Sequence, residues 1–187
     1  MKTKETLVKI NDELGSTLEA LSETQLEALE RAVTAADRIF VAGAGRSLMM
    51  IRGFAMRMMH MGYASYVVGE TVTPAIRPGD LLLIASGSGS TGTLTVMAEK
   101  AKSAGATLAL ITTLPDSPIG KMANVIVEVK AATPKSSKQE IHSIQPGATT
   151  FEQCVLLIGD AIVIDLISGK SIDEINAMLM ERHANLE

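Results

Sequence analysis

Leu81-Leu82-Leu83-Ile84-Ala85-Ser86-Gly87-Ser88-Gly89-Ser90-Thr91-Gly92-Thr93 is the stretch that decides the fold. Residues 81–85 are an uninterrupted apolar run, which reads as a strand buried on both faces. The segment after Thr93, Leu94-Thr95-Val96-Met97-Ala98-Glu99-Lys100-Ala101-Lys102, reads as a helix. Strand, Gly/Ser/Thr loop and helix N-terminus therefore follow one another. Such a junction suits an anion. The glycines let the backbone approach, the free amides of the first turn point outward, and the helix dipole favours negative charge. Ser86, Ser88, Ser90 and Thr91 add four hydroxyls without adding charge. A flexible turn with a Ser/Thr cap is the plainer alternative, but it needs fewer hydroxyls and glycines than stand here.

The same pattern occurs once more upstream. Arg38-Ile39-Phe40-Val41-Ala42 reads as a strand, Gly43-Ala44-Gly45-Arg46-Ser47 as its loop, and Leu48 to Met61 as a helix. Further strands are expected at Ala64–Val68, Thr107–Thr112 and Val125–Val129, with a short helix over Ser117–Ala123. Five strands alternating with helices call for an α/β fold, a parallel sheet with right-handed crossovers. The expected strand order is 2-1-3-4-5, flavodoxin-like, in a three-layer sandwich with helices on both faces. Strands 1 and 3 then flank the topological switch point, so the loops at 43–47 and 86–93 open onto one crevice.

The flanks are helical. Leu7, Ile10, Leu14, Leu18 and Leu21 form one apolar stripe, suited to the domain itself or to a partner subunit. Ser22-Glu23-Thr24-Gln25 has capping-box form and starts a second helix. Residues 131–148 are polar and read as a long loop, of the kind that is usually functional or mobile. Thr149-Thr150-Phe151-Glu152-Gln153 opens an apolar helix to about Ser168, and Ser171-Ile172-Asp173-Glu174 is a second capping box before a last helix. The chain is expected to form one domain over 1–187, with N-terminal helices at 1–36, the sheet core at 37–130 and C-terminal helices at 149–187.

Bulk properties exclude several functions. With 187 residues, 47% of them hydrophobic, the chain can bury a substantial core. A net charge of −4, and of −3 within residues 1–36, gives a nucleic-acid role no support. The single Cys154 rules out an internal disulfide, so a reducing cytoplasm is the expected compartment. No apolar run approaches a membrane span, and no signal-peptide core is seen. Six of the eleven methionines lie in 49–61, where they read as packing at helix contacts. His60 reads as a packing or dipole-stabilising residue at the helix end. The three histidines and Cys154 lack metal-ligand spacing. Gly43-Ala44-Gly45-Arg46-Ser47-Leu48 is a broken dinucleotide fingerprint, because Leu48 stands where the third glycine belongs. Gly169-Lys170-Ser171 follows a helix rather than a strand, which argues against a Walker loop.

The succession strand, Gly-x-Gly-Arg-Ser, helix, strand, then strand, Ser-Gly-Ser-Gly-x-Thr, helix resembles the sugar isomerase (SIS) domain. Within that family the 6-phospho-3-hexuloisomerases are the group it resembles. The resembling segments are Ala42–Ser47, Phe54-Ala55-Met56-Arg57-Met58-Met59-His60-Met61-Gly62, Val68-Gly69-Glu70, Ser86–Gly89, Thr150–Gln153 and the terminal His183-Ala184-Asn185-Leu186-Glu187. The family usually has Gly after the Arg-Ser pair, and here Leu48 follows.

The resemblance implies interconversion of 3-hexulose 6-phosphate and fructose 6-phosphate, the second step of formaldehyde fixation through ribulose monophosphate. It also implies a homotetramer, a 3-hexulose-6-phosphate synthase as pathway partner, and no cofactor or metal. Moving a carbonyl between neighbouring carbons needs a base, donors for the developing oxyanion and a phosphate anchor. Ser47, Ser86, Gly87, Ser88, Gly89, Ser90 and Thr91 are the candidate anchor. Glu152 is a candidate base, or else closes a cap on Thr149. His183 is a candidate acid or proton carrier, or else a tail residue. Arg46 neutralises phosphate or enediolate, or else pairs with an acid such as Glu70. Two other readings stay open: a SIS isomerase of another sugar, such as a heptose phosphate, and a non-catalytic phosphosugar sensor.

Overall fold

A computed structural model of the chain describes residues 2–133 and 142–186. Among these, five strands form one parallel sheet: β1 (Ile39–Gly43), β2 (Ser65–Val67), β3 (Leu81–Ala85), β4 (Thr107–Thr112) and β5 (Val125–Glu128). Their order across the sheet is β2-β1-β3-β4-β5, as expected. The helices are α1 (Thr3–Glu19), α2 (Glu23–Thr34), α3 (Gly45–His60), α4 (Gly92–Ser103), α5 (Thr149–Leu166) and α6 (Ile172–Arg182). The expected helix over 117–123 is a single 3-10 turn at Gly120–Met122. Part of the expected 131–148 loop, residues 134–141, lies outside the described residues.

Strand periodicity builds two cores. Ile39 and Val41 of β1, Leu81 and Leu83 of β3, and Ala109 and Ile111 of β4 point to the side of α2, α3 and α5. Phe40, Leu82, Ile84, Leu108 and Leu110 point to the other side, where α4 supplies Leu94, Ala98 and Ala101. Each fully buried side chain of this size contributes about 1.5–3 kcal/mol. Both faces of the sheet are thus covered, which is why its central strands read as continuous apolar runs.

At the sheet's amino end, Arg38 Nε and Nη2 donate to the two carboxylate oxygens of Asp80 at 2.9 and 2.6 Å. Asp80 is fully buried and also accepts from Arg77 N–H at 2.8 Å. This fork ties the turn before β3 to the start of β1.

The N-terminal stripe divides. Leu14, Leu18 and Leu21 pack on the chain's own core, whereas Leu7 is 60% exposed. The Ser171 capping box forms as expected, with Glu174 N–H reaching Ser171 Oγ and the Glu174 carboxylate accepting from Ser171 N–H. The Ser22 box does not form. Ser22 Oγ pairs with Thr24 Oγ1, and Gln25 Oε1 instead accepts the Glu128 N–H at 2.9 Å, fastening α2 to β5. Of the methionines at 49–61, Met58 is buried and Met50 and Met61 pack on the core, while Met49, Met56 and Met59 are exposed.

Candidate active site

The site is set by where strands end. β1 and β3 are neighbours in register, Gly43 opposite Ala85, so their following loops leave the sheet side by side. α3 then covers one face and α4 the other, which makes this the point where the winding reverses. Gly43 permits a close turn here: a Cβ on it would stand 2.9 Å from the Leu48 backbone. The Leu48 side chain itself packs against the core. The absent third glycine is therefore met by Gly43 on the opposite side of the contact.

The 86–91 loop is held from below. Gly87 carbonyl accepts from Thr112 Oγ1 at 3.1 Å, from Thr113 Oγ1 at 2.8 Å and from Thr113 N–H at 3.1 Å. Gly89 carbonyl accepts from Ile119 N–H at 3.0 Å. Ser86 is 4% exposed, and its hydroxyl oxygen accepts the Gly89 N–H at 3.2 Å, so it shapes the loop from inside. Ser90 is exposed, while Ser88 and Thr91 are half-buried. Thr91 is the N-cap of α4 and makes no side-chain cap, leaving the first amides of that helix without one. Ser88 and Ser90 line a cleft of about 340 Å³ with residues 114–118.

α5 runs alongside α3 and brings its own N-terminus to this end. Phe151 is fully buried, with its ring edge 3.5 Å from the position a Cβ on Gly87 would take. Arg46 Nε lies 3.2 Å from Glu152 Oε2, and Arg46 Nη1 donates to Thr149 Oγ1 at 3.0 Å. The Glu152 side chain is 12% exposed and that of Arg46 is 51% exposed. The alternatives left open for these residues are thereby separated. The N-cap of α5 is Ala148, with no side-chain cap, and the Glu152 carboxylate turns to Arg46. Glu70 pairs with Arg52 instead of Arg46.

His183 is elsewhere. Its ring stacks on that of His60 at 5.8 Å between centroids, at the far end of α3. Fourteen residues of helix separate Arg46 from His60, roughly 21 Å along the axis. His183 thus does not meet Glu152 within one chain. Burial, Arg57 and His183 lower the His60 pKa, in keeping with a packing residue. Burial pushes the Cys154 thiol up to about 12, so it is no nucleophile. Among the described residues, no cluster of His, Cys, Asp and Glu is arranged to hold a metal ion, and no helix is long and apolar enough to cross a membrane.

The SIS domain family matches residues 33–153, from the end of α2 into the first turn of α5. The chain belongs to the SIS domain family. The chain is also 40% identical, over all 187 residues and the full length of the relative, to a 3-hexulose-6-phosphate isomerase of Bacillus subtilis. A second such isomerase, from Mycobacterium gastri, is 41% identical over 95% of this chain and 88% of its own. A solved structure from Methanococcus jannaschii, whose inferred function is 3-hexulose-6-phosphate isomerase, superposes with a TM-score of 0.81 at 30% identity. It covers 98% of this chain and 99% of that one. Those relatives extend beyond residue 153, and so share α5 and α6 with this SIS member.

Sequence reasoning missed Thr112, Thr113 and Ile119, which pin the loop, and the Arg52–Glu70 pair. Each joins residues well apart in sequence with no periodic or motif signal.

Proposed function

We propose that the chain is an isomerase that interconverts 3-hexulose 6-phosphate and fructose 6-phosphate through an enediol. The observation that carries this reading is the Arg46–Glu152 contact beside a hydroxyl-rich loop at a helix N-terminus, in a chain full-length similar to isomerases of that name. Ser47, Ser88, Ser90, Thr91 and the first amides of α4 hold the phosphate. The Glu152 carboxylate takes the proton from the carbon beside the carbonyl and returns it to the neighbouring carbon. The Arg46 guanidinium lies against the same carboxylate and faces the negative oxygen that develops. His183 stands too far from Glu152 in its own chain, so as oxygen-to-oxygen proton carrier it serves the site of a neighbouring copy. That requirement fits a homotetramer. The enzyme would work in the cytoplasm after a 3-hexulose-6-phosphate synthase, in formaldehyde fixation.

Glu152→Gln tests the assignment. Gln keeps the shape and an acceptor for Arg46 but cannot take the proton. Turnover and solvent-deuterium exchange into fructose 6-phosphate should fall by about 100-fold or more, while the ligand-induced melting shift persists. Normal exchange in this variant removes Glu152 as the base. A melting shift in a parent that shows no exchange favours a phosphosugar sensor.

A further inference from the structure

The first turn of α5 is tethered at every residue. Thr149 and Glu152 meet Arg46, and Phe151 lies over Gly87. The remaining two, Thr150 and Gln153, lead to α1. Glu13 of α1 accepts hydrogen bonds from Thr150 Oγ1, from Ser143 Oγ at 2.6 Å and from Ile144 N–H at 3.1 Å. Gln145 Nε2 donates to Thr150 Oγ1 and to Gln153 Oε1, each at 3.0 Å. Thr150 is 2% exposed and Gln145 9% exposed, so these bonds are made largely out of water. Burial works to raise the Glu13 pKa, but the donors of Ser143, Thr150, Ile144 and Gln145 outweigh it, and the carboxyl sits below its ordinary value.

This carboxylate adds to what α5 has of its own. The helix follows Ala148 without a side-chain cap, and the one acidic side chain of its first turn, Glu152, is engaged by Arg46. Glu13 brings a negative charge to that end from 137 residues away in sequence. It also fixes 143–145, the segment that leads into the helix.

We propose that Glu13 is a positioning residue for the site: through Thr150 and Ser143, α1 sets where the first turn of α5 holds Glu152. This rests on the reading of Glu152 as the base. Glu13 itself touches neither Arg46 nor the 86–91 loop, so its effect is on geometry. A base displaced by about an ångström from its proton costs up to about 100-fold in rate. Binding of phosphate on the untouched loop is retained.

The test uses Glu13→Gln, Thr150→Val and the double variant, with Glu152→Gln alongside. Glu13→Gln should lower kcat about 10-fold or more with KM for fructose 6-phosphate changed less than about two-fold. Hydrogen exchange should quicken at the amides of 149–153 and not in β1 or β3. Thr150→Val should reproduce part of the kcat loss, and the double variant should lose less than the product of the single losses. If kcat is unchanged in Glu13→Gln while Glu152→Gln is inactive, the positioning role is wrong and the base assignment stands. If Glu152→Gln is active, the base assignment itself falls. Multiplicative losses with no change at 149–153 overturn the route through Thr150.

Discussion

Gly89→Ala tests whether the conformation of the 86–91 loop, and not its composition, makes the anchor. Gly89 has φ of +53°, the left-handed region. A Cβ there would stand 2.0 Å from Ser117 Oγ and 2.6 Å from Ser117 Cβ. Ser117 cannot swing aside freely. It is 7% exposed, its Oγ accepts the Gly120 N–H at 3.2 Å, and its own N–H is bonded to Leu114. The left-handed backbone costs about 1–2 kcal/mol for a residue with a Cβ, and forced overpacking typically adds about 1–3 kcal/mol. The sum, about 2–5 kcal/mol, corresponds to a melting-temperature fall of roughly 5–15 °C in a chain of this length. Ligand affinity should fall as well, because the turn that presents Ser88 and Ser90 must open. The assay is thermal unfolding with and without fructose 6-phosphate. Gly89→Ala/Ser117→Gly removes the overlap and leaves the backbone cost, so it should recover part of the loss. A Gly89→Ala protein with parental melting and a parental ligand shift would refute the reasoning.

Two further expectations follow from single contacts. Ser88→Ala removes one hydroxyl from the cleft it shares with residues 114–118, the proposed phosphate site, about 1.5–3 kcal/mol if it bonds a charged acceptor, and Ser88→Asp should bind fructose 6-phosphate more weakly still, since charge then meets charge; calorimetric titration of both checks the anchor. Asp80→Asn leaves Arg38 without its carboxylate and should cost about 3 kcal/mol, the scale for breaking a buried pair from one side. Burial raises the Asp80 pKa, but the Arg38 hydrogen bonds, the Arg77 N–H and both nearby guanidinium charges outweigh it and hold the value below its ordinary 3.8. Its stabilisation is therefore full above that pH and is lost as pH falls through the folded value. Denaturant melts from pH 7 downward should show parent and Asp80→Asn converging only below pH of about 4.

Strand positions were legible because they depend on local signals. Residues 81–85 and 108–111 are apolar throughout, which a doubly covered strand tolerates, and Gly43 and Gly87 mark the turns after β1 and β3. That the loops after β1 and β3 leave the sheet side by side follows from the pairing of those two strands. The partners of the residues there were not legible. Arg46 and Glu152 are 106 positions apart and meet only because α5 lies alongside α3, with Phe54 against Gly159. Gln25 shows why local motifs mislead. Ser22 and Gln25 have the spacing of a capping box, yet a backbone amide of β5 competes for Gln25 and takes it. Nor does any local motif show that Ser86 Oγ accepts the Gly89 N–H, a bond that exists only once the loop has closed.

An acidic chain that binds an anion needs a local field opposed to its overall one. The net charge of −4 is spread over the whole sequence. At physiological salt such charges act over about 8 Å, so distant carboxylates contribute little at the site. Nearby, the N-termini of α3, α4 and α5 all lie at the carboxyl ends of β1 and β3. Each carries roughly half a positive charge, and Arg46 adds a full one. Glu152 offsets part of this, and on the proposed reading that is what a proton abstraction requires: a carboxylate beside the carbon, with positive groups around the oxygen and the phosphate. Glu13, bonded to Thr150 and Ser143, takes no part in the ion pair, in which the Arg46 guanidinium turns toward Glu152 and Thr149.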